Sequence, residues 1–278
     1  MVPTPGLVEV VAHRGASDDV AEHTLAAYRR AVEDGADALE CDVRLTADGH
    51  LVCVHDRRVD RTSDGSGPVS TLELADLAAL DFGSWHASAG DHDAPDGADL
   101  DGGDDRSVLT LARLLEFVSD CGRPIPLAIE TKHPTRYAGL VERRLVALLQ
   151  RFGLDGATAG TGAAPVRVMS FSQLSLRRMR QLAPAVPTVL LLERVPLRLR
   201  DGSLPPYVSV AGPSIDVVRA HPGYVARVHA TGRPVHVWTV DAAADVDLCL
   251  DLDVDAIITN RPARVRDVRD ERRASSGQ

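Results

Sequence analysis

Residues 10–45 read VVAHRGASDDVAEHTLAAYRRAVEDGADALECDVRL. A short apolar run ends at His13-Arg14, a helical pattern follows, and a second apolar run carries two acidic residues, Glu40 and Asp42. A strand, a helix and a second strand in this order are typical of a βαβ unit with parallel strands. The acidic residues of the second strand are unusual, because carboxylates are seldom buried without a partner. Either that strand is exposed or its carboxylates bind something.

The same alternation continues along the rest of the chain. We predict nine strands, at residues 8–12, 38–45, 51–55, 126–131, 166–171, 188–192, 207–211, 235–240 and 256–259. We predict seven helices, at residues 24–34, 72–80, 109–120, 136–152, 173–182, 215–230 and 242–251. About eight strand–helix repeats favour an α/β fold, a (β/α)8 TIM barrel, with a doubly wound open sheet as the alternative.

One predicted strand exceeds the eight positions of such a barrel. The turn at residues 46–49 is too short for a parallel crossover, so we interpret the strands on either side of it as a hairpin. Pairing Leu45 with His50 gives one apolar face and places Glu40 opposite His55 on the other face. A register shifted by one residue is the alternative.

The composition is that of an ordinary globular protein, with 278 residues of which 44% are hydrophobic and 26% charged. The net charge of −9 disfavours a nucleic-acid or anionic-membrane surface, so we expect no nucleic-acid partner and no stable membrane association. We find no apolar run near the ~20 residues that span a bilayer and no secretory-signal pattern. The four cysteines are scattered, so we expect reduced thiols in a cytoplasmic protein. We expect a monomer or a homodimer.

Three carboxylates are candidates for a metal site. Glu40 and Asp42 lie two residues apart on one strand, so their side chains leave the same face, and Glu130 lies near the end of another apolar strand. In a barrel the carboxyl ends of the strands meet, and carboxylates that converge there repel each other unless a cation lies between them. Oxygen ligands suit Mg²⁺, Ca²⁺ or Mn²⁺. The alternative is that each acid is simply solvated at a strand end.

Two histidines lie at neighbouring strand ends. His13 ends the first strand and His55 ends the hairpin. Because the ordinary pKa of histidine lies near neutrality, such a pair can supply an acid and a base. Beside them, the planar guanidinium of Arg14 suits contact with a phosphate. The chain has 30 arginines and one lysine, Lys132, which lies two residues after Glu130 and is a candidate for a second phosphate contact or a chance surface residue.

Two aromatic residues also lie near predicted strand ends. Trp238 is in VHVWTVD and Phe171 is in MSFS. At the rim of a barrel a flat ring can form a wall for the apolar part of a substrate. Packing in the core is the alternative for both side chains.

The motifs together resemble a known family. In chain order these are HRG, an E-x-T at Glu22, LECDVRLTADGHLVCVHD, IETK, MSF, VWTVD and DAIITNRP, and they are similar to those of glycerophosphodiester phosphodiesterases, which belong to the PI-PLC-like phosphodiesterase barrels. The resemblance runs from about residue 8 to 262. HRG, ExDV and VHD at these distances are specific, whereas the later motifs are weak alone.

The resemblance implies a single (β/α)8 domain over residues 1–278, with a small insertion after the third strand at about 57–106. Part of that segment, residues 84–106, is acidic and rich in Gly and Asp, which favours a flexible loop. The resemblance also implies one divalent metal, Mg²⁺ or Ca²⁺, on the matching carboxylates. It implies that His13 and His55 are the acid and base, and that Arg14 and Lys132 contact the phosphate.

Three positions depart from the family's usual pattern. The family's Asn after Glu22 is His23 here, its Asn in VWTVN is Asp241, and its Asp in ITD is Asn260. None of the three is a predicted metal ligand or catalytic histidine, so the expected reaction is unchanged. They leave open the substrate preference and the surroundings of Glu22, which we expect to support the site from behind.

The function that these residues imply is hydrolysis of glycerophosphodiesters to glycerol 3-phosphate and an alcohol. We expect His55 as base and His13 as acid in a first step in which the substrate's 2-hydroxyl attacks, and the reverse assignment stays open. The alternatives are a lysophospholipase D or a sphingomyelinase D-like phosphodiesterase on the same barrel. A catalytically inactive barrel that binds phosphodiesters is a further alternative, although every expected position is filled.

Overall fold

The computed structural model describes residues 7–87, 106–135, 139–156 and 165–276. Within them the strands are β1 (Glu9–His13), β2 (Ala38–Leu45), β3 (Leu51–Cys53), β4 (Leu127–Thr131), β5 (Val166–Ser170), β6 (Thr188–Leu192), β7 (Val210–Pro213), β8 (His236–Val237) and β9 (Ala256–Thr259). The helices are α1 (Leu25–Glu33), α2 (Leu74–Ala78), α3 (Ser84–Ala87), α4 (Leu111–Asp120), α5 (Leu140–Arg151), α6 (Gln173–Leu182), α7 (Ile215–Ala220), α8 (Gly223–His229), α9 (Ala243–Asp251) and α10 (Pro262–Ser276). Short 3₁₀ turns lie at Val69–Thr71 and Leu197–Leu199.

Eight of the strands form a parallel barrel. Their order is β7-β6-β5-β4-β2-β1-β9-β8, and the parallel bridges Ala211–Val235 and Ser214–Trp238 join β7 to β8. The remaining strand, β3, pairs antiparallel with β2 outside this path. The predicted (β/α)8 barrel is therefore confirmed, and the doubly wound sheet is excluded.

The core has two layers because alternate residues of each strand point in opposite directions. Val11, Ala38, Ala128, Val189 and Ile258 pack together inside the barrel. Larger clusters of buried side chains fill the space between the strands and the surrounding helices. The carboxyl ends of the strands thus open above a packed interior, and residues there can form a site.

The chain between β1 and α1 is held by a close approach of backbones. Gly15 has a φ of +87°, and a Cβ on it would lie 2.6 Å from the carbonyl carbon of Ala27. Thr24 begins α1 by accepting a hydrogen bond from the Ala27 backbone N–H. Leu25 and Tyr28 of this helix are buried. This packing fixes the loop that carries Arg14.

Several sequence predictions require correction in detail. The hairpin exists, but its register is shifted by one residue, with Val43 opposite Cys53 and Leu45 opposite Leu51. The turn is longer than expected because the Thr46 hydroxyl accepts the His50 N–H and so brings residue 50 into the turn. Glu40 is therefore not paired with His55.

The helix predicted at residues 215–230 is two helices, α7 and α8. Pro222 lies between them, and proline lacks the N–H that a continuous helix needs and disfavours helical backbone in the residue before it. The strand predicted at 207–211 begins later, at Val210, and the one predicted at 235–240 is shorter.

The segment after β3 contains the first 3₁₀ turn, α2 and α3. A small core forms from Val52 of β3 and the residues that follow it, Val54, Val59, Val69, Leu77 and Phe82. The acidic stretch for which we expect flexibility lies outside the described residues from 88 to 105. No helix in the described ranges is both long enough and apolar enough to cross a bilayer.

Candidate active site

The three predicted metal ligands lie together at the carboxyl ends of the barrel strands. Glu40 and Asp42 share the inner face of β2, and Asp42 is directly opposite Glu130 of β4 in the parallel register. One carboxylate oxygen from each of the three lies within 4.8 Å of the others, and all three side chains are buried. Two neighbouring strands thus place three acids around one point.

Burial of this cluster changes the pKa values of its carboxyl groups. Burial, together with the charge of Asp42, raises the pKa of Glu130 to about 8 and that of Glu40 well above its ordinary value. The pKa of Asp42 is instead well below its ordinary value, because Lys132, His23 and Arg14 outweigh the effect of burial. Asp42 is therefore the carboxylate that stays ionised.

Cationic groups surround Asp42. The Lys132 ammonium lies 3.0 Å from Asp42 Oδ1 and 2.8 Å from Glu130 Oε2. The Arg14 guanidinium lies 3.1 Å from Asp42 Oδ2, and the Arg14 backbone N–H donates to Glu40 Oε2 at 3.0 Å. The predicted phosphate-binding residues are thus bound to the carboxylates themselves.

His23 also contacts Asp42. Its Nε2 lies 3.0 Å from Asp42 Oδ2, and its Nδ1 lies 2.9 Å from the hydroxyl of Tyr28, which in turn contacts the Glu40 carbonyl. Because a carboxylate can only accept, His23 donates its Nε2–H to Asp42, and burial lowers the pKa of the ring. His23, where the family usually has Asn, thus orients an acid of the cluster.

His13 contacts Asn260, which in turn contacts Asp241, and both residues depart from the family's usual pattern. Its Nδ1 lies 2.7 Å from Asn260 Oδ1, and Asn260 Nδ2 donates to Asp241 Oδ2 at 2.7 Å. Since this amide oxygen can only accept, His13 carries its proton on Nδ1 and Nε2 has a free lone pair. The two departures from the family pattern therefore compensate for each other, because Asp241 and Asn260 are bonded to one another.

His55 lies at the end of a chain of ion pairs. Its Nδ1 is 2.7 Å from Asp56 Oδ1, and Asp56 accepts a bond of 2.7 Å from Arg61 Nε. Arg61 also binds Glu22 at 2.7 Å, and Glu22 accepts from Arg14 at 3.1 Å. Glu22 thereby connects the surroundings of His55 to those of Asp42.

A cavity of about 140 Å³ joins these groups. Of the residues predicted from the sequence, it is lined by His13, Arg14, Glu40, His55, Glu130, Lys132, Phe171 and Trp238. Asp42 is only 1% exposed beside the cavity, and Glu22 reaches it only through Arg14. Phe171 and Trp238 meet edge to face with ring centroids 5.3 Å apart. All the predicted site residues therefore lie within one region.

Sequence reasoning missed several members of this region. Glu193 lines the cavity after β6, and Asp56 and Arg61 orient His55. Asp56 directly follows His55 in the VHD motif, which was a usable signal. Arg61 and Glu22 are 39 residues apart, and no local pattern indicates their contact.

Comparison with known proteins gives the family of the chain. A model of the glycerophosphoryl diester phosphodiesterase family matches residues 13–264. The chain is 48% identical over 258 residues to a Mycobacterium tuberculosis (strain ATCC 25618 / H37Rv) protein named "Probable glycerophosphodiester phosphodiesterase 1", covering 92% of this chain and 90% of that protein. It is 37% identical over 264 residues to the glycerophosphodiester phosphodiesterase of Bacillus subtilis (strain 168), covering 93% and 85% of the two chains.

Solved structures show the same fold. A glycerophosphodiester phosphodiesterase of Agrobacterium tumefaciens str. C58 has a TM-score of 0.72 and 26% identity, with 92% of this chain and 98% of that chain covered. A phosphodiesterase of Oleispira antarctica, solved with the product sn-glycerol-3-phosphate, has a TM-score of 0.76 and 24% identity, with 95% and 97% covered. The family match over nearly the whole chain and the two sequence relatives establish that this chain belongs to the glycerophosphoryl diester phosphodiesterase family.

Proposed function

We propose that this protein hydrolyses glycerophosphodiesters to glycerol 3-phosphate and an alcohol. The observation that carries the proposal is the convergence of two histidines and a carboxylate cluster on one cavity in a member of this family. Its sequence relatives carry the name of that activity, and the Oleispira structure holds that product.

The carboxylate cluster is suited to one divalent cation. Three buried acids lie within 4.8 Å of each other, and burial together with the charge of Asp42 raises the pKa of Glu130, an effect that a cation would offset. Glu40, Asp42 and Glu130 would hold Mg²⁺ or Ca²⁺, with Mn²⁺ as a third option, since oxygen ligands suit these ions. When bound, the ion supplies positive charge that offsets the charge of the phosphoryl oxygens.

Arg14 and Lys132 bind the phosphate in this proposal. The contacts of Arg14 to Asp42 and Glu22 use Nε and Nη1, which leaves Nη2 for a ligand. Lys132 contacts two carboxylates and has three N–H donors, which leaves one. Because both cations are already fixed, little side-chain entropy is lost when phosphate binds.

The two histidines transfer protons. Burial lowers the pKa of His13 to about 3 and also lowers the pKa of His55, so both rings are neutral near pH 7 in the free protein. His55 has a carboxylate partner, Asp56, which stabilises its imidazolium form, whereas the partner of His13 is an amide. These partners favour His13 as the base and His55 as the acid, the reverse of the division expected from the sequence.

We therefore propose this first step. His13 Nε2 takes the proton of the substrate's 2-hydroxyl as that oxygen attacks phosphorus, and His55 donates its proton to the departing alcohol oxygen. A cyclic phosphate forms, and water opens it with the two histidines in exchanged roles. The negative charge of the substrate favours the protonated form of His55 before this step.

Phe171 and Trp238 form an apolar wall in this proposal. The Trp238 indole donates to the Gly212 carbonyl at 2.7 Å, which fixes the ring, while Phe171 is 43% exposed at the cavity edge. Their edge-to-face packing gives the carbon skeleton of glycerol a rigid surface.

We further propose that residues 1–278 form one barrel domain whose insertion spans about 57–106. In this proposal the protein acts in the cytoplasm on a small-molecule substrate, as a monomer or homodimer, without nucleic acid or stable membrane association. The net charge of −9 supports the exclusion of polyanionic partners.

The test is product analysis with defined metal content. Metal-stripped protein should release choline and glycerol 3-phosphate from glycerophosphocholine only after Mg²⁺, Ca²⁺ or Mn²⁺ is added. Equal turnover in EDTA would exclude the metal. Faster turnover of lysophosphatidylcholine than of glycerophosphocholine would instead indicate a lysophospholipase D.

Variants of the two histidines test the proton transfers. His13→Ala and His55→Ala should each lower kcat by about 10²–10⁴-fold. His229→Ala, which removes a half-exposed histidine that pairs with Asp255, is the control and should keep kcat. Near-normal kcat in either His13→Ala or His55→Ala would remove that residue from the mechanism.

A further inference from the structure

A second, larger cavity opens beside the reaction cavity. Its volume is about 630 Å³, and it shares His55, Glu130, Lys132 and Phe171 with the smaller cavity. We call it the arginine groove after the cationic side chains that line it: Arg44, Arg57, Arg58, Arg61 and Lys132. Asp56, Asp60 and Glu130 also line the groove, so its cations outnumber its acids by five to three. A ligand that extends from the reacting phosphate past His55 therefore enters a surface with an excess of positive charge.

Two of these cations have no acidic partner. Arg58, Arg61 and Lys132 each lie within salt-bridge distance of a carboxylate. Arg44 and Arg57 form no ion pair with any carboxylate in the described ranges of the chain. Their charge is notable in a chain whose net charge is −9. Two guanidiniums at the mouth of the site thus remain available to an anion.

Arg44 is fixed in position by the active site itself. It follows Asp42 by two residues on β2, and its Nε and Nη2 donate to the His55 carbonyl at 3.0 and 2.7 Å. These bonds leave Nη1 without a hydrogen bond among the described residues. A guanidinium that is already oriented and half-buried binds phosphate with little further loss of side-chain entropy.

The position of the groove assigns it to one part of the substrate. The reaction cavity of about 140 Å³ is lined by both proposed catalytic histidines and by Glu40 and Glu130, whereas the groove is lined by His55 and Glu130 but not by His13 or Glu40. His55 is the proposed acid for the departing alcohol, so the alcohol lies on the groove side. This step rests on the proposed function.

We propose that the arginine groove binds a phosphate group carried by the alcohol part of the substrate, with Arg44 and Arg57 as its ligands. The preferred substrates are then glycerophosphodiesters of phosphorylated alcohols, whereas a cationic alcohol such as choline meets like charge. Arg44 and Arg57 determine specificity and take no part in bond cleavage.

A matched pair of substrates tests this. Glycerophosphoinositol and glycerophosphoinositol 4-phosphate differ by one phosphate on the alcohol. The metal-loaded wild-type protein should show a kcat/KM for the phosphorylated substrate about tenfold or more above that for the unphosphorylated one, since one charge-assisted contact has about this effect. Added KCl should reduce the ratio. Equal kcat/KM values for the two substrates would overturn the proposal.

Charge-neutralising variants locate the effect. Arg57→Gln and Arg44→Gln should each reduce the ratio of the two kcat/KM values about tenfold. Arg151→Gln removes the same charge from an exposed residue at the end of α5 and should leave the ratio unchanged. A ratio that survives in both groove variants would contradict the assignment of these two residues.

Direct binding separates this proposal from the proposed function. By calorimetry, myo-inositol 4-phosphate should bind the wild-type protein about tenfold more tightly than the Arg57→Gln variant, whatever the turnover. Binding without turnover of any glycerophosphodiester would reject the proposed function and keep the groove. Turnover of glycerophosphodiesters, with myo-inositol 4-phosphate binding equally to the wild-type protein and to Arg57→Gln, would keep the proposed function and reject the groove.

Discussion

Charged residues face the interior at both ends of the barrel, but the two ends differ in the numbers of acidic and basic groups. At the amino ends of the strands, Arg167 Nη2 lies 2.7 Å from Glu9 Oε2, and the two charges cancel. At the carboxyl ends, three acids converge and the pKa values of Glu40 and Glu130 are raised. The first arrangement has one charge of each sign, whereas in the second three acids face two cations, Arg14 and Lys132.

This difference separates a structural pair from a binding site. In a buried ion pair the attraction between the two charges offsets the free-energy cost of desolvating them, and removing one partner leaves a buried charge uncompensated. An excess of buried carboxylates is unfavourable until a cation binds, so such a cluster is retained for function and not for stability.

The largest effect is expected from Glu130→Gln. Its activity should fall by about 10³-fold or more, comparable to the loss of a catalytic group. The metal-free variant should be no less stable than the wild-type protein. The pKa of Glu130 in the folded protein, about 8, lies above its ordinary 4.5, so ionisation of Glu130 lowers stability as pH rises through 8.

Urea unfolding at pH 6 and pH 9 measures that stability. The wild-type protein should lose stability between the two pH values through this group, and Glu130→Gln should lose less. Glu116→Gln changes an exposed carboxylate on α4 and is the control. Marked destabilisation of the metal-free Glu130→Gln protein would mean that the cluster is structural.

Arg167→Leu, at the amino ends of the strands, should lower stability and leave activity nearly unchanged. Removal of the guanidinium leaves Glu9 partly buried without its partner, so the free energy of unfolding should fall by about 3 kcal/mol. The activity per folded molecule should remain within about twofold, since Arg167 is remote from the cavity. Glu9→Leu combined with Arg167→Leu should recover part of the loss. Stability equal to wild type in the single variant would show that the pair is not structural.

Glu22 at the carboxyl end is paired in the same way as Glu9. Bonds from Arg61 and the charge of Arg14 outweigh burial and lower its pKa to about 2. The folded-state pKa of Glu22 lies below the ordinary 4.5. The ionised Glu22 therefore stabilises the folded protein above pH 4.5, and this stabilisation is lost as pH falls through about 2. Glu22→Gln should therefore reduce the loss of stability between pH 6 and pH 2.5 by on the order of 2 kcal/mol, measured by urea unfolding. The exposed Glu33→Gln should not change it.

The smallest effect concerns the exchanged pair behind His13. Asn260→Asp together with Asp241→Asn restores a carboxylate beside His13 Nδ1 and keeps the bond between the two residues. A carboxylate there raises the pKa of His13, so the acidic limb of the kcat/KM profile should move upward by about one pH unit. An unchanged profile would show that His13 does not set that limb.

The barrel and its carboxylate cluster could be predicted because both follow from local patterns. Residues two apart on a strand share a face, and the ends of parallel strands meet, so Glu40, Asp42 and Glu130 were placed correctly near each other. The division of the helix at Pro222 was not predicted, although proline interrupts helices and the residue was a usable signal.

Other features could not be predicted for physical reasons. Both faces of β3 are buried, so alternation of apolar residues does not distinguish two hairpin registers one residue apart. The contact between Arg61 and Glu22 joins residues 39 apart and depends on the loop after β3. The role of His23 depends on Tyr28 and Asp42 together, which only the folded chain brings into contact.

Calorimetric titration of the EDTA-stripped protein with Ca²⁺ or Mg²⁺ measures whether the three carboxylates hold a cation. We predict one ion per chain in the wild-type protein, no measurable binding in Glu130→Gln and unchanged binding in Arg167→Leu at a temperature where that variant is folded. The contradicting result is a wild-type protein that binds neither Mg²⁺ nor Ca²⁺ and still hydrolyses glycerophosphodiesters in EDTA.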